Sequence, residues 1–135
     1  MPTRIIPTLR YRDPAAAIDW LERAFGFERH LVAQGEGGGV EHAQLTLGRD
    51  AMIMLGPVRD DAFGRLQRTP ADAGGFATQS PYVIVADVDA HHARAVAAGA
   101  RVVHPLRDED YGGRHYSCLD PEGHLWNFGS YDPWA

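Results

Sequence analysis

The stretch DPEGHLWNFG, residues 120–129, indicates a tight turn followed directly by a β-strand. Asp and Pro favour the first positions of such a turn, and Gly tolerates the last position in Asp120–Gly123. In the strand that follows, side chains alternate between the two faces, so Trp126 and Phe128 share one apolar face. Asn127 then lies on the opposite face. The role of this neutral amide bears on the function of the chain.

The composition predicts one globular domain spanning residues 1–135. The chain is 44% hydrophobic, with a formal net charge of -5 that argues against nucleic acid as a partner. Its single cysteine, Cys118, cannot form an intrachain disulfide and fits a reducing compartment. The N-terminus lacks the apolar run of a signal peptide, and no stretch is apolar enough to cross a membrane. We therefore expect a cytoplasmic protein without a membrane partner.

The two halves of the chain align with each other at an offset of about 74 residues, or 73 after the helix. Asp13 then matches Asp87, and His42 matches His115. This order of matches indicates a duplicated unit. The repeat units are residues 1–56 and 80–135, and the connecting loop is residues 57–79.

Each unit is predicted as a strand, a helix and three further strands. In the first unit, Asp13 is a suitable helix N-cap, Pro14 suits the first helical turn, and Gly26 ends the helix. In the second unit, Asp87 or Asp89 caps the helix. The predicted strands are Ile5 to Tyr11, Phe27 to Ala33, Glu41 to Leu47, Ala51 to Leu55, Tyr82 to Ala86, Arg101 to His104, Arg114 to Leu119 and His124 to Tyr131. The predicted core contains Ile18, Leu21, Phe25, Leu45, Ile53, Val83, Trp126 and Phe128.

The segments Arg12 to Glu28, Ala86 to Ala100 and Asp120 to Trp134 resemble, in this order, those of the vicinal oxygen chelate superfamily. More closely, they resemble its glyoxalase/bleomycin resistance protein/dioxygenase group. The resemblance implies an α+β fold of two βαβββ units that form an open barrel with a cleft. It covers nearly the whole chain, but this fold hosts several chemistries, so it does not fix an activity.

Enzymes of the superfamily bind a divalent metal in the cleft through His, Gln or Glu, and the resemblance implies where such ligands would stand. The first-strand ligand lies seven residues before the helix-capping Asp, and the last-strand ligand lies seven residues after the Asp of the turn. In this chain the four positions are Ile6, Met54, Ser80 and Asn127. None is a carboxylate or an imidazole, which hard or borderline divalent ions prefer. We therefore expect no metal cofactor; a divalent metal is the alternative.

Strand alternation predicts which side chains face the cleft instead. They combine thioethers, an aromatic ring, amides, hydroxyls, imidazoles and one guanidinium, which suits a pocket for an amphipathic small molecule. The alternative is that these side chains close the barrel among themselves, with the guanidinium paired to an acid. The predicted ligand-binding residues are Thr8, Arg10, His42, Gln44, Met52, Met54, Tyr82, His115, Ser117 and Asn127.

The resemblance and the cleft residues leave three functions open. The first is metal-free binding of a small organic molecule, similar to the drug sequestration of bleomycin resistance proteins. The second is a glyoxalase-type lyase, isomerase or dioxygenase that uses a metal. The third is a metal-independent enzyme acting through His42, His115 or Tyr82; the two histidines could also bind a metal in an unfamiliar place. Family members of this length usually form homodimers, so we expect one here, with clefts completed between subunits.

Overall fold

The computed structural model describes all 135 residues and contains two strand–helix–three-strand units. The predicted α+β architecture is confirmed. None of the helices is long and apolar enough to span a bilayer. The first unit contains β1 (Thr8–Tyr11), α1 (Pro14–Phe25), β2 (Glu28–Gln34), β3 (Val40–Leu47) and β4 (Ala51–Pro57). The second contains β5 (Tyr82–Ile84), α2 (Val88–Ala97), β6 (Arg101–Asp108), β7 (Arg114–Leu119) and β8 (Leu125–Gly129).

Each unit builds its own four-stranded sheet, and the two sheets have matching strand orders. The orders are β1-β4-β3-β2 and β5-β8-β7-β6, and in each sheet the first and last strands of the unit pair in parallel. Thr8 lies opposite Met54 in the first sheet, and Tyr82 lies opposite Asn127 in the second. These are equivalent positions of the repeat. The sheets form no closed barrel within the chain, in agreement with the predicted open architecture.

The helix ends are those that the sequence predicts. The Asp13 carboxylate accepts a hydrogen bond from the backbone N–H of Ala16 at 3.1 Å, and Asp87 does the same for Ala90 at 3.0 Å. Asp87, not Asp89, is therefore the cap of α2. Gly26 ends α1 with φ of 85°, a left-handed conformation that favours glycine.

One shared core joins the two sheets and both helices. Phe25 of α1 lies 4.6 Å from Phe128 and 5.2 Å from Trp126, measured between ring centroids, so a helix of the first unit packs on the second sheet. Leu45 and Ile53 bring the first sheet into the same core. The predicted core residues are all buried except Val83, which is partly buried at its edge.

The extents of two predicted strands, β1 and β6, differ most from the structure. Strand β1 begins at Thr8, not Ile5, and Ile5 is 92% exposed. Strand β6 continues past His104 to Asp108 although it contains Pro105. Proline is tolerated because β6 is an edge strand with register shifts on both sides of His104.

The turn Asp120–Gly123 connects the two units. The buried Asp120 carboxylate accepts hydrogen bonds from the Tyr11 hydroxyl at 2.7 Å and the Trp126 indole at 3.1 Å. It also accepts from the backbone N–H groups of Glu122 and His124, both at 3.0 Å. Tyr11 belongs to the first unit, so this carboxylate links the units as well as shaping its own turn.

Candidate functional site

The predicted ligand-binding residues occupy the sheet faces that point away from the shared core. Their neighbours along each strand, such as Leu45, Ile53 and Phe128, are buried in that core, and alternation places the predicted residues on the other face. We call these surfaces the first and second outer face. The first outer face contains Thr8, Arg10, His42, Gln44, Met52 and Met54. The second contains Tyr82, His115, Ser117 and Asn127.

The first outer face combines two thioethers with polar side chains. Gln44 lies opposite Met54 across β3 and β4, and Met54 lies opposite Thr8 across β4 and β1. The Gln44 amide nitrogen is 3.2 Å from Nε2 of His42, which aligns these two polar groups along one strand. The methionines are half-buried, whereas Thr8 is exposed. Unbranched thioethers of this kind pack against ligands of varied shape.

Arg10 supplies a cationic group on this face, and no acidic side chain forms an ion pair with it. Its guanidinium carbon lies 5.0 Å from the ring centroid of Phe63, within the range of a cation–π contact. Its Nε is buried without a hydrogen-bond partner. Burial, and next to it the charge of Arg59, lowers the pKa of Arg10. Arg59 itself is paired with Glu41 at 2.6 Å, so Arg10 is left with donors for an incoming group.

The second outer face is polar and internally hydrogen-bonded. Asn127, the residue in question, accepts a hydrogen bond from the Ser117 hydroxyl at 2.7 Å through Oδ1. Its Nδ2 donates to the Ser80 hydroxyl at 2.8 Å and to the Pro81 carbonyl at 3.1 Å. Every partner is neutral, so the amide completes a hydrogen-bond network that contains no charged group.

Tyr82 and His115 lie beside this network. Their rings stack with centroids 6.1 Å apart, and the Tyr82 hydroxyl donates to the Tyr131 carbonyl at 2.7 Å. Burial is the main cause that raises the pKa of Tyr82, so its hydroxyl stays protonated as a donor. Burial first, and then the nearby His104, lowers the pKa of His115. The imidazole of His115 is therefore favoured in its neutral form.

The four positions at which the family resemblance places metal ligands do not form a ligand set. Ser80 and Asn127 meet through the 2.8 Å hydrogen bond between hydroxyl and amide. The backbone N–H of Met54 donates to the Pro7 carbonyl at 3.0 Å, and Ile6 has no ligating atom in its side chain. A divalent ion would find one thioether and two neutral oxygens, a donor set that such ions bind poorly.

Sequence reasoning missed the residues that surround His115, because it ended β6 at His104. In the structure β6 runs on and carries Glu109 back beside the imidazoles of His104 and His115. One atom of each of these three side chains lies within 4.8 Å of the other two. The only signal in the sequence was the short separation between His104 and His115. The two residues come together only if the segment between them forms a hairpin, and that requires a strand that continues through Pro105.

A separate cleft of about 820 Å³ lies between the N-terminal segment, the inter-unit loop and the start of β8. Of the ten predicted residues it includes only Thr8. Its walls combine exposed apolar side chains such as Leu66 and Phe76 with Arg65 and Arg68. Apart from Thr8, the predicted ligand-binding residues therefore do not line this cleft.

The two outer faces are also not joined to each other within one chain. No hydrogen bond, ion pair or aromatic contact connects a side chain of the first outer face with a side chain of the second. Each face is backed by the shared core and is open on its outer side.

Comparison with known proteins assigns this chain to a family. Residues 5–128 match the family described as the Glyoxalase/Bleomycin resistance protein/Dioxygenase superfamily. The chain belongs to this superfamily. The match covers both units and the loop between them, so the resemblance found in the sequence is confirmed.

Within the superfamily, several relatives cover most of the chain. An uncharacterized protein from Mycobacterium bovis is 35% identical over 123 residues, which are 91% of this chain and 80% of that protein. TioX from Micromonospora sp. ML1 has a crystal structure that is 38% identical, with a TM-score of 0.73 and 94% of each chain covered. The fosfomycin resistance protein FosX from Mesorhizobium loti is 15% identical, with a TM-score of 0.65, 99% of this chain covered and 96% of FosX. That last similarity shows the shared fold alone.

Proposed function

We propose that this protein binds a small amphipathic organic molecule on its outer faces, without a metal at the superfamily's ligand positions. The observation that carries the proposal is the neutral network around Asn127. Where a metal-binding carboxylate would stand, an amide is held by Ser80, Ser117 and a backbone carbonyl. Neutral donors and acceptors of this kind orient a polar organic group, and they do not neutralise a divalent ion.

The contrast between the two faces supports an amphipathic ligand. The thioethers of Met52 and Met54 offer adaptable apolar contact, while Ser117 and Asn127 offer hydrogen bonds. Arg10 adds a guanidinium without an acidic partner, which favours a ligand that carries an anionic or strongly accepting group. Such a molecule would lay its flat apolar part on the methionines and its anionic group near Arg10 on the first outer face, and its neutral polar groups on the second.

We further propose that the protein is a homodimer in which the first outer face of one subunit meets the second outer face of its partner. The support is that each outer face is open in a single chain and lacks contact with the other. A second copy would cover both faces at once and produce two equivalent clefts by twofold symmetry. The cytoplasm is the proposed location, in keeping with the free, buried Cys118.

The dye 8-anilinonaphthalene-1-sulfonate tests the binding proposal, because it combines flat aromatic rings with one anionic group. We expect saturable binding of one dye per chain, with the same affinity in the presence and absence of EDTA. At 100 times its dissociation constant the dye should stabilise the folded state by ~2.7 kcal/mol, which a melting curve detects.

Two substitutions locate the bound dye. Met54→Glu and Asn127→Glu each place a carboxylate on an outer face, and each should weaken dye binding at least about tenfold, which is a loss of ~1.4 kcal/mol. Ala51→Glu is the matched control, because Ala51 is exposed on the same strand as Met54 but alternates to the other side. Equal losses in all three variants would contradict the proposal. A stoichiometric divalent ion that is present in the wild type and lost from Ser80→Ala or Asn127→Ala would also contradict the proposal. Such a result would favour the metal-dependent enzyme instead.

A further inference from the structure

The hairpin of β6 and β7 gathers two imidazoles and a carboxylate at a place that the superfamily's ligand spacing does not indicate. His104 Nε2 lies 3.8 Å from Glu109 Oε1, and His115 Nδ1 lies 3.6 Å from the same oxygen. The two imidazole rings are 4.9 Å apart and nearly perpendicular. None of the three is among the four family positions.

The hydrogen bonds around His115 determine which of its ring nitrogens carries the proton. The Ser117 hydroxyl donates its proton to Asn127 Oδ1 at 2.7 Å, so toward His115 the Ser117 oxygen acts as an acceptor. His115 Nε2, 3.3 Å from that oxygen, is then the protonated nitrogen that donates. In the neutral ring this leaves a lone pair on Nδ1, and Nδ1 is the atom that faces Glu109.

The lone pair on His115 Nδ1 and the carboxylate oxygen of Glu109 would then face each other at 3.6 Å, with no cation or proton between them. Nδ1 of His115 is buried and has no hydrogen-bond partner. The Glu109 side chain is only 11% exposed, so water does little to separate the groups. Buried polar atoms without partners are rare in native proteins, and a bound ion is one of the ordinary ways in which such an atom is satisfied.

We propose that His104, Glu109 and His115 bind a divalent ion of the zinc class, with a fourth position open to water or another ligand. Ligand bonds of about 2.0–2.1 Å in a tetrahedral site separate neighbouring ligand atoms by about 3.3 Å. The two separations from the carboxylate, 3.6 and 3.8 Å, therefore need to contract by only a few tenths of an ångström, and the two imidazole nitrogens lie within 4.8 Å of each other. Two imidazoles and one carboxylate select borderline transition-metal ions over magnesium or calcium.

The surroundings of the three ligands match those of a metal site. A metal-binding histidine normally donates its other N–H to an outer partner that fixes the ring, and the Ser117 hydroxyl is placed to accept it. Arg107 competes for the site, since its Nε lies 3.3 Å from Glu109 Oε1. The Arg107 side chain is 57% exposed and is able to move aside into solvent when an ion arrives.

Calorimetric titration of the full chain with zinc, with magnesium as the comparison ion, tests this site. We expect one zinc ion per chain and no magnesium binding. His104→Ala and Glu109→Gln should each weaken zinc binding by at least about tenfold. His30→Ala is the matched control, because His30 is on β2, the corresponding edge strand of the first sheet, and should leave zinc affinity unchanged.

Two further variants keep the test decisive if the ligand substitutions disturb folding. Arg107→Ala removes the competing cation and should tighten zinc binding, whereas Ser117→Ala releases the His115 ring and should weaken it. Cobalt in place of zinc should give the strong visible absorption of a four-coordinate site. Absence of zinc binding in the folded protein, or equal zinc affinity in wild type, His104→Ala and Arg107→Ala, would overturn the proposal. Because His115 belongs to both sites, dye binding is measured on zinc-free protein, so failure of either proposal leaves the other to be judged by its own result.

Discussion

The two outer faces have the same backbone pairing and different chemistry. Thr8 and Met54 occupy in the first sheet the positions that Tyr82 and Asn127 occupy in the second. The first face combines two thioethers with polar neighbours and the Arg10 guanidinium, whereas Asn127 on the second face lies in a chain of neutral hydrogen bonds. The strand register is the same in both sheets because the shared core depends on it, while the exposed side chains differ. A face that carries thioethers and a cation, together with a face that carries neutral hydrogen-bonding groups, suits an amphipathic ligand.

The turns that lead into the last strand of each unit give the sharpest structural contrast. Asp120→Ala should lower the free energy of unfolding by about 3–5 kcal/mol, because it leaves the Tyr11 hydroxyl and the Trp126 indole buried without an acceptor. The exposed Asp50, in the turn of the first unit, provides the control. Asp50→Ala should change stability by less than about 0.5 kcal/mol. Urea denaturation measures both, and similar losses would mean that the turns are equivalent after all.

One of the differences between the two helices places a partly buried histidine against the core. Ala17 of α1 corresponds to His91 of α2, whose ring lies 4.1 Å from Phe128 and whose Nε2 donates to the Phe25 carbonyl. Burial lowers the pKa of His91 from 6.5 to about 4. The unfolded chain therefore binds a proton more readily than the folded protein between these two pH values. This contribution to stability is fully present above pH 6.5 and is lost as the pH falls toward 4.

The expected loss for His91 is up to about 3 kcal/mol over this interval. Urea denaturation at a series of pH values measures it, and His91→Gln should remove that part of the pH dependence whatever its stability at pH 7. If the slope between pH 6.5 and pH 4 is the same in His91→Gln as in wild type, other groups cause the acid sensitivity.

Two equivalent glycines provide a smaller test of the symmetry. A methyl group on Gly56 would lie 2.6 Å from the Arg10 guanidinium, and one on Gly129 would lie 2.6 Å from the Tyr82 hydroxyl. Each would also lie 3.1 Å from a backbone carbonyl, so neither can be accommodated by a side-chain movement alone. Gly56→Ala and Gly129→Ala should each cost about 1–3 kcal/mol. Thermal unfolding measures the cost, and a loss in only one of them would show that the two strand ends are packed differently.

The sequence predicted the elements well where one local signal determined them. Helix caps at Asp13 and Asp87 and the alternation around Trp126 follow from short-range chemistry, and the structure reproduces them. The extent of β6 could not be predicted, because a proline is tolerated only on an edge strand and the strand order is a property of the whole sheet. The position of Glu109 beside His115 depends on that extension.

The candidate site shows the same division between local and long-range information. Alternation assigned the ten predicted residues to sheet faces, and the structure places them on the faces away from the core. Strand alternation could not indicate that the two faces remain apart within one chain. That separation results from packing both sheets and both helices into a single core, through contacts such as those of Phe25 with Trp126 and Phe128. No local pattern reports such contacts.

Mixing two defective variants tests most directly whether one subunit's first outer face and its partner's second outer face form a single site. Met54→Glu disables the first face, and Asn127→Glu disables the second. Each protein alone should bind 8-anilinonaphthalene-1-sulfonate poorly. After unfolding and refolding together, half of the dimers contain one of each chain, and each of these has one intact cleft. Dye binding should then return to about one quarter of the wild-type capacity. No recovery, with both variants folded and dimeric, would contradict the account.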